Sequence, residues 1–337
     1  MRFALSFFLL LGSAAASPFS NLYFFGDSLS DSGNVFSLTA GFYPPAPYSG
    51  GGMSNGRIWT DIFATLKGLP NAGKPAGMTL GPNYLNLTVP GTGNNYAIAG
   101  ARNDTTGTLD SLGIPSGVRT QVNYYLSKQT VDPNALYVLF GGGNDIRDAS
   151  LLDPTARDAA ATTAAFNMTI GAYLLAEAGA RRFLVMNAPD VGLTPEAKIE
   201  RKNSASATAA SVQYNFALDY FLNSLSYEGL EMFRFDTFGL FNLIYQDVLS
   251  GGLQTGLTNA TLPCFSGFSG STGADCSKSI FSDNIHPTAQ MHAILGYSVH
   301  NVVHNPEPAT VAMVAITLGL IVWRLRRSRQ QVFGRRP

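Results

Sequence analysis

The sequence predicts an α/β protein with a parallel sheet, on three observations. Short apolar runs at residues 21–25, 95–98, 135–140, 183–186 and 232–235 lack strict polar alternation, as expected of strands buried on both faces. Helical stretches at residues 116–129, 154–178, 204–226, 237–249 and 287–303 lie between and after them. Strands that alternate with helices form parallel sheets through right-handed crossovers. The composition can fill such a core, since 45% of the 337 residues are hydrophobic and only 13% are charged.

In chain order, residues 1–16 read as a secretory signal peptide. Arg2 gives a positive start, residues 3–11 are apolar, and Ala14-Ala15-Ala16 offers a small-residue cleavage site. Ser17-Pro18 then breaks the helical pattern, which places cleavage after Ala16. From there to residue 304 the chain reads as one domain. Between residues 17 and 305 there are 15 basic and 21 acidic side chains. This mildly acidic body argues against nucleic acid as a partner.

The first strand, residues 22–25, runs into Gly26-Asp27-Ser28, and small polar residues come next. A serine on a tight turn between strand and helix can project its Oγ at the sheet edge and aim its own N–H at a developing oxyanion. Residues 42–93 are rich in Gly, Pro and Asn and read as a loop-heavy insertion, either a rim or loosely packed surface. The strand at 95–98 ends near Gly100, whose N–H is a second candidate oxyanion donor. The strongly apolar run 136–140 leads into Gly141-Gly142-Gly143-Asn144-Asp145. A glycine run there turns the backbone over the sheet edge, and Asn144 can offer its side-chain amide. The absence of Gly-Lys-Ser/Thr excludes a Walker loop.

Cys264 and Cys276 lie close together in a Gly/Ser-rich stretch. In an exported protein they are expected to form a disulfide, and two thiols without nearby histidine make a poor metal site. Of the histidines at 286, 292, 300 and 304, only His286 sits in a motif, Ser282-Asp283-Asn284-Ile285-His286-Pro287. Asp283, three residues upstream, can hold one imidazole nitrogen and leave the other free for a serine. His292 and His300 fall on the predicted last helix, where packing or surface roles are expected. Asp27, Asp31 and Asp145 are expected to be structural hydrogen-bonders around the site.

These four blocks, in this order, resemble the GDSL (SGNH) hydrolase family from Phe24 to Pro287. The resemblance implies a flavodoxin-like, three-layer α/β/α fold with a five-stranded parallel sheet in order 2-1-3-4-5. The site would lie at the strands' C-terminal edge. It implies Ser28 as nucleophile, Asp283 and His286 as the rest of the triad, and Ser28, Gly100 and Asn144 as the oxyanion hole, with no metal and no cofactor. The substrate would be a small-molecule, lipid or glycan ester. The Gly-x-Ser-x-Gly elbow of the classical α/β-hydrolases is absent around Ser28. Residues 54–59 (Ser-Asn-Gly-Arg-Ile-Trp) also resemble the family and read as structural. The same triad would serve a polysaccharide deacetylase or an acyltransferase. A non-catalytic surface binding protein is the reading from another class, and an intact triad counts against it.

At the far end, Pro306-Glu307-Pro308-Ala309-Thr310 precedes a short apolar segment, residues 311–323, and then Arg324, Arg326, Arg327 and Arg329. The segment is short of the roughly 20 residues of a full span. The arrangement at residues 305–337 resembles the PEP-CTERM sorting signal of Gram-negative bacteria. It implies export to the envelope and contact with sorting machinery.

Overall fold

Leu22–Gly26 form the first strand, β1, and the sheet grows from it. In the computed structural model, which describes residues 18–81, 84–86, 93–265 and 272–304, the other strands are β2 (Thr79–Gly81), β3 (Tyr84–Asn86), β4 (Leu136–Phe140), β5 (Arg182–Met186) and β6 (Glu231–Phe235). β1, β4, β5 and β6 make one parallel sheet in that spatial order, while β2 and β3 pair as a separate antiparallel hairpin. The signal peptide and the segment 305–337 expected from the sequence lie outside the described residues.

The main sheet has four regular strands where five were expected. The fifth position is filled all the same. On the free side of β1, Phe24 N–H donates to Asn94 O (3.1 Å), Tyr96 N–H to Phe24 O (2.8 Å) and Ile98 N–H to Gly26 O (3.2 Å). This parallel ladder puts residues 94–98 next to β1 and gives the 2-1-3-4-5 order. The outer side of this segment meets both backbone and side chains: Ala76 N–H donates to Asn95 O (2.8 Å) and Asn95 N–H to Lys74 O (3.1 Å), a short parallel bridge to residues 74–76. Asn34 Nδ2 donates to Asn95 O (2.7 Å) and to Ala97 O (2.8 Å).

The helices are α1 (Asn34–Leu38), α2 (Trp59–Leu66), α3 (Val118–Lys128), α4 (Gly143–Ala149), α5 (Pro154–Glu177), α6 (Ser204–Leu222), α7 (Thr237–Leu249) and α8 (Ala289–His304). α5 starts where its sequence says it should. Asp153 accepts from the N–H groups of Thr155 and Ala156 (both 3.1 Å), and Pro154 occupies the first turn. Side chains alternate across β4, as the strand period of two requires. Tyr137 and Leu139 join Val122, Met168 and Tyr214 in a core under α3, α5 and α6. Leu136, Val138 and Phe140 join Trp59, Phe63, Leu295 and Val299 under α2 and α8. The result is the expected three-layer α/β/α arrangement.

The stretch 42–93 is not loosely packed surface throughout. It contains α2, whose Trp59 and Phe63 are fully buried against Phe24 of β1. The Gly and Pro content hid a single amphipathic helix of eight residues.

Candidate active site

β1 ends against its neighbour so closely that only glycine fits. A Cβ on Gly26 would sit 2.1 Å from Phe140 O. Gln121 of α3 brackets the same residue, accepting from Gly26 N–H (2.9 Å) and donating to Gly26 O (2.8 Å). The chain then turns on Asp27. Its carbonyl accepts from Ser30 and Asp31 N–H (both 3.0 Å), and its Oδ1 accepts from Leu29 N–H (3.0 Å). This turn leaves Ser28 half-buried at the C-terminal edge of the sheet. Asp31 accepts from Gly33, Asn34, Val35 and Ala99 N–H groups. Asp27 and Asp31 thus hold backbone around the site, as the sequence suggested, and burial pushes both carboxyls up to about 6.

His286 arrives from the opposite end of the chain. Its carbonyl accepts from Ser282 N–H (2.8 Å) and Ser282 Oγ–H (3.0 Å). The stretch at residues 54–59 anchors the start of α8. Ser54 Oγ donates to Pro287 O (2.9 Å), and Asn55 Oδ1 accepts from Ala289 N–H (2.7 Å), capping the helix. His286 Nε2 lies 2.8 Å from Ser28 Oγ, and its Nδ1 lies 2.6 Å from Asp283 Oδ2. Both His286 and Asp283 are buried. Burial pushes the Asp283 carboxyl up. The charge of His286, with hydrogen bonds from His286 and Tyr48, more than offsets this and holds the group at about 2. Asp283 is therefore ionised and acceptor-only.

The two other expected oxyanion donors, Gly100 and Asn144, follow strands that end at the same edge of the sheet; Asn144 lines the cleft that holds Ser28, whereas Gly100 is not among its lining residues. Gly100 adopts φ +82°, and a Cβ there would meet Thr108 Oγ1 at 1.8 Å, so both backbone and space require glycine. Asn144 opens α4 after Gly142, which has φ +103° and lies against Tyr214. The Asn144 amide is held from both sides. Nδ2 donates to Ala101 O (2.9 Å), and Oδ1 accepts from Arg147 (3.1 Å). An amide has two N–H groups, so one remains to serve the cleft. Arg147 in turn grips Glu196 with two parallel hydrogen bonds (2.7 and 2.6 Å), and Arg201 reaches the same carboxylate at 3.1 Å. Burial pushes Glu196 up, but the two guanidinium groups hold it below the usual carboxylate range.

Residues 22–299 match the sequence pattern of the GDSL-like lipase/acylhydrolase family. The chain belongs to that family. It is 29% identical over 342 residues to esterase EstA of Pseudomonas aeruginosa, covering 88% of this chain and 49% of EstA. It is 26% identical over 318 residues to the thermolabile hemolysin of Vibrio parahaemolyticus, covering 86% of this chain and 66% of that one. To the phosphatidylcholine-sterol acyltransferase of Aeromonas hydrophila it is 26% identical over 263 residues, covering 77% and 70%. The chain spans about half the length of the Pseudomonas relatives.

The cleft beside Ser28 and His286 is open to solvent. Leu29, Val191, Phe241, Phe281 and Ile285 give it mainly apolar walls. Cys264 and Cys276 are bonded, with Cα atoms 5.2 Å apart, in the loop that precedes Phe281. His292 takes no part in the cleft. It is buried, accepts from Trp59 N–H (3.4 Å), and burial, with His286 nearby, pushes it down to about 3. Asp145 accepts from Asn103 N–H (3.1 Å). Sequence reasoning passed over Tyr48, Arg147 and Glu196. Arg147 had a usable signal, since it lies three residues beyond Asn144 on one helix face.

Proposed function

We propose that the protein is an exported serine hydrolase that cleaves carboxylic esters through an acyl-enzyme on Ser28. The observation that carries this is the chain Ser28 Oγ, His286 Nε2, His286 Nδ1, Asp283 Oδ2, with links of 2.8 and 2.6 Å. In this reading His286 takes the Ser28 proton as Oγ attacks the ester carbonyl. Asp283 fixes the imidazole tautomer and stabilises the imidazolium. The Ser28 and Gly100 N–H groups and the Asn144 amide receive the negative charge on the carbonyl oxygen. His286 then protonates the leaving alcohol, and water, deprotonated by the same imidazole, releases the acid. The apolar cleft suits an acyl chain or another hydrophobic arm of the ester. Residues 1–16 support export, and residues 305–337 support retention or release at the envelope through a sorting signal, with residues 17–304 as the catalytic domain.

Acyl transfer is the second reading. It uses the same acyl-enzyme with an alcohol in place of water, and the similarity to an acyltransferase favours it. One assay separates these readings. A chain-length series of p-nitrophenyl esters is given to the protein and to Ser28→Ala, with and without an added alcohol acceptor. We expect turnover that vanishes in Ser28→Ala, while the variant keeps the circular dichroism of the parent. Full activity in the variant would remove Ser28 as nucleophile. Product appearing mainly as the new ester would favour the transferase.

A further inference from the structure

The Asp283 carboxylate receives four hydrogen bonds. Oδ1 accepts from the backbone N–H groups of Ile285 (2.8 Å) and His286 (2.6 Å), which fixes the loop. Oδ2 accepts from His286 Nδ1 (2.6 Å) and from the Tyr48 hydroxyl (2.5 Å). The first three donors are local. The fourth comes from 235 residues away, on the segment between α1 and α2.

Tyr48 is seated for this contact. Its ring meets Phe265 edge-on, with centroids 5.5 Å apart and planes at 83°. Phe265 adjoins the bonded Cys264, and its N–H donates to Ser282 O (2.6 Å). Phe265 and the histidine loop, joined by that hydrogen bond, therefore build one socket for the ring and its hydroxyl. An ionised carboxylate only accepts, so the hydroxyl must be the donor. Burial, then the Asp283 charge, raises the phenol well above its ordinary value, and it stays protonated across the neutral range.

We propose that Tyr48 is a positioning residue of the Ser28–His286–Asp283 triad, one that shares Asp283 Oδ2 with His286 and so sets both the angle of the carboxylate and the charge the imidazole meets. The inference rests on the triad reading of the preceding section. Its physical content is a competition. Two donors on one oxygen divide its accepting power, and hydrogen bonds to ionised groups are the strong ones. Without the hydroxyl, Oδ2 serves His286 alone and the Nδ1–H···Oδ2 bond tightens. The carboxylate also loses the contact that stops it turning about its Cβ–Cγ bond. Other charged or titratable groups face this pair from several elements. Asp27 of the first turn and His292 of α8 act on His286, while Arg147 of α4, Glu196 and Tyr43 act on Asp283. Changing Tyr48 to Phe substitutes none of them and keeps the ring in its socket, though the hydroxyl it removes also interacts with Tyr43.

The test uses the full chain with a p-nitrophenyl ester. For Tyr48→Phe we expect kcat to fall about tenfold, the scale of one hydrogen bond to a charged group, with KM within about twofold of the parent. The acid limb of the kcat/KM profile should move to higher pH, because the freed carboxylate favours the imidazolium. The far-downfield proton resonance of His286 Nδ1–H should move too, and this readout needs no turnover. Parental kcat with an unmoved limb and resonance would overturn the proposal. So would a raised KM at parental kcat, which would make Tyr48 a substrate contact. If Tyr48→Phe fails to fold, Phe265→Leu disturbs the seat without touching the hydroxyl. It should give a smaller kcat loss and a resonance shift in the same direction, and no change would count against the proposal. Failure of the triad reading looks different: Ser28→Ala would then stay active. An inactive Ser28→Ala beside a parental Tyr48→Phe removes only the Tyr48 role.

Discussion

Asn144 shows how much of the site turns on the orientation of single side chains. Its carbonyl oxygen is pinned by Arg147 and one N–H by Ala101 O, so the remaining N–H has a fixed direction before substrate arrives. Preorganised donors of this kind stabilise the transition state at no cost of reorientation. Asn144→Ala is therefore expected to lower kcat by about 10²–10³-fold with little change in KM, and to lower stability by about 1–3 kcal/mol, because Ala101 O loses its buried donor. A near-parental kcat from steady-state kinetics would take Asn144 out of the oxyanion hole. The sequence singled out Ser28, Gly100, Asn144, Asp283 and His286 by local motifs, since small turns and glycine runs mark where strands end, and Ser28, His286 and Asp283 do meet in one hydrogen-bonded chain. Their supports were not legible in it. Tyr48 meets Asp283 across 235 residues, and Arg147 meets Glu196 across 49. Contacts at that separation arise from tertiary packing, which leaves no periodic trace in a single chain.

Among the elements, the junction of β1 with the nucleophile turn carries the most constraint. Gly26 pairs in register with Phe140, and a side chain there would press on the β4 backbone at 2.1 Å. Backbone in a central strand cannot give way as a flexible side chain can. Gly26→Ala should destabilise the fold by about 1–3 kcal/mol, the usual range for overpacking, and should displace Ser28 from His286. Denaturant unfolding read beside esterase activity checks both, and a parental midpoint would show that β1 and β4 can separate at this point. The long elements were legible for reasons of length and composition. β1, β4, β5, β6 and the helices α3, α5, α6, α7 and α8 fall where apolar runs and helical periodicity placed them. The short ones escaped. α1 has five residues and α4 seven, too few for a period to show, and α2 lies within a Gly- and Pro-rich stretch. The fifth strand position was named correctly, although its outer edge is satisfied by a single bridge to residues 74–76 and by Asn34 and not by a regular strand.

For the molecule as a whole, buried carboxyls make stability depend on pH in an uncommon direction. Burial raises Asp145 to about 7, only partly offset by the Asn103 N–H, and raises Asp27, Asp31 and Asp61 to about 6. A carboxyl with a folded value above its unfolded one binds protons more tightly in the folded state. Folding is then favoured at lower pH, and stability falls as pH rises through the window between the unfolded value and the folded one. Two groups run the other way at lower pH. His292, held down to about 3, adds stability as pH rises from there to its unfolded value of 6.5. Asp283, at about 2, does so between that value and 3.8. Above pH 6.5 Asp283 has finished titrating, and His292 keeps only the upper half of its unfolded-state titration, about 0.4 kcal/mol in the opposite sense, so Asp145, with smaller help from the carboxyls near 6, dominates what remains. The unfolding temperature should therefore rise as pH is lowered from 8 to 6.5. One pKa unit corresponds to about 1.4 kcal/mol. Asp145 is partly solvent-exposed at its outer edge, so we expect a change on the order of 1 kcal/mol over that range. Asp145→Asn keeps an acceptor for the Asn103 N–H and removes the titration, so its curve should be flatter and lie above the parent at pH 8. Thermal unfolding of both proteins across pH 6.5–8 decides this. Parallel curves would mean that Asp145 ionises in the folded protein as easily as in the unfolded chain, and that its surroundings are more solvated than its burial implies.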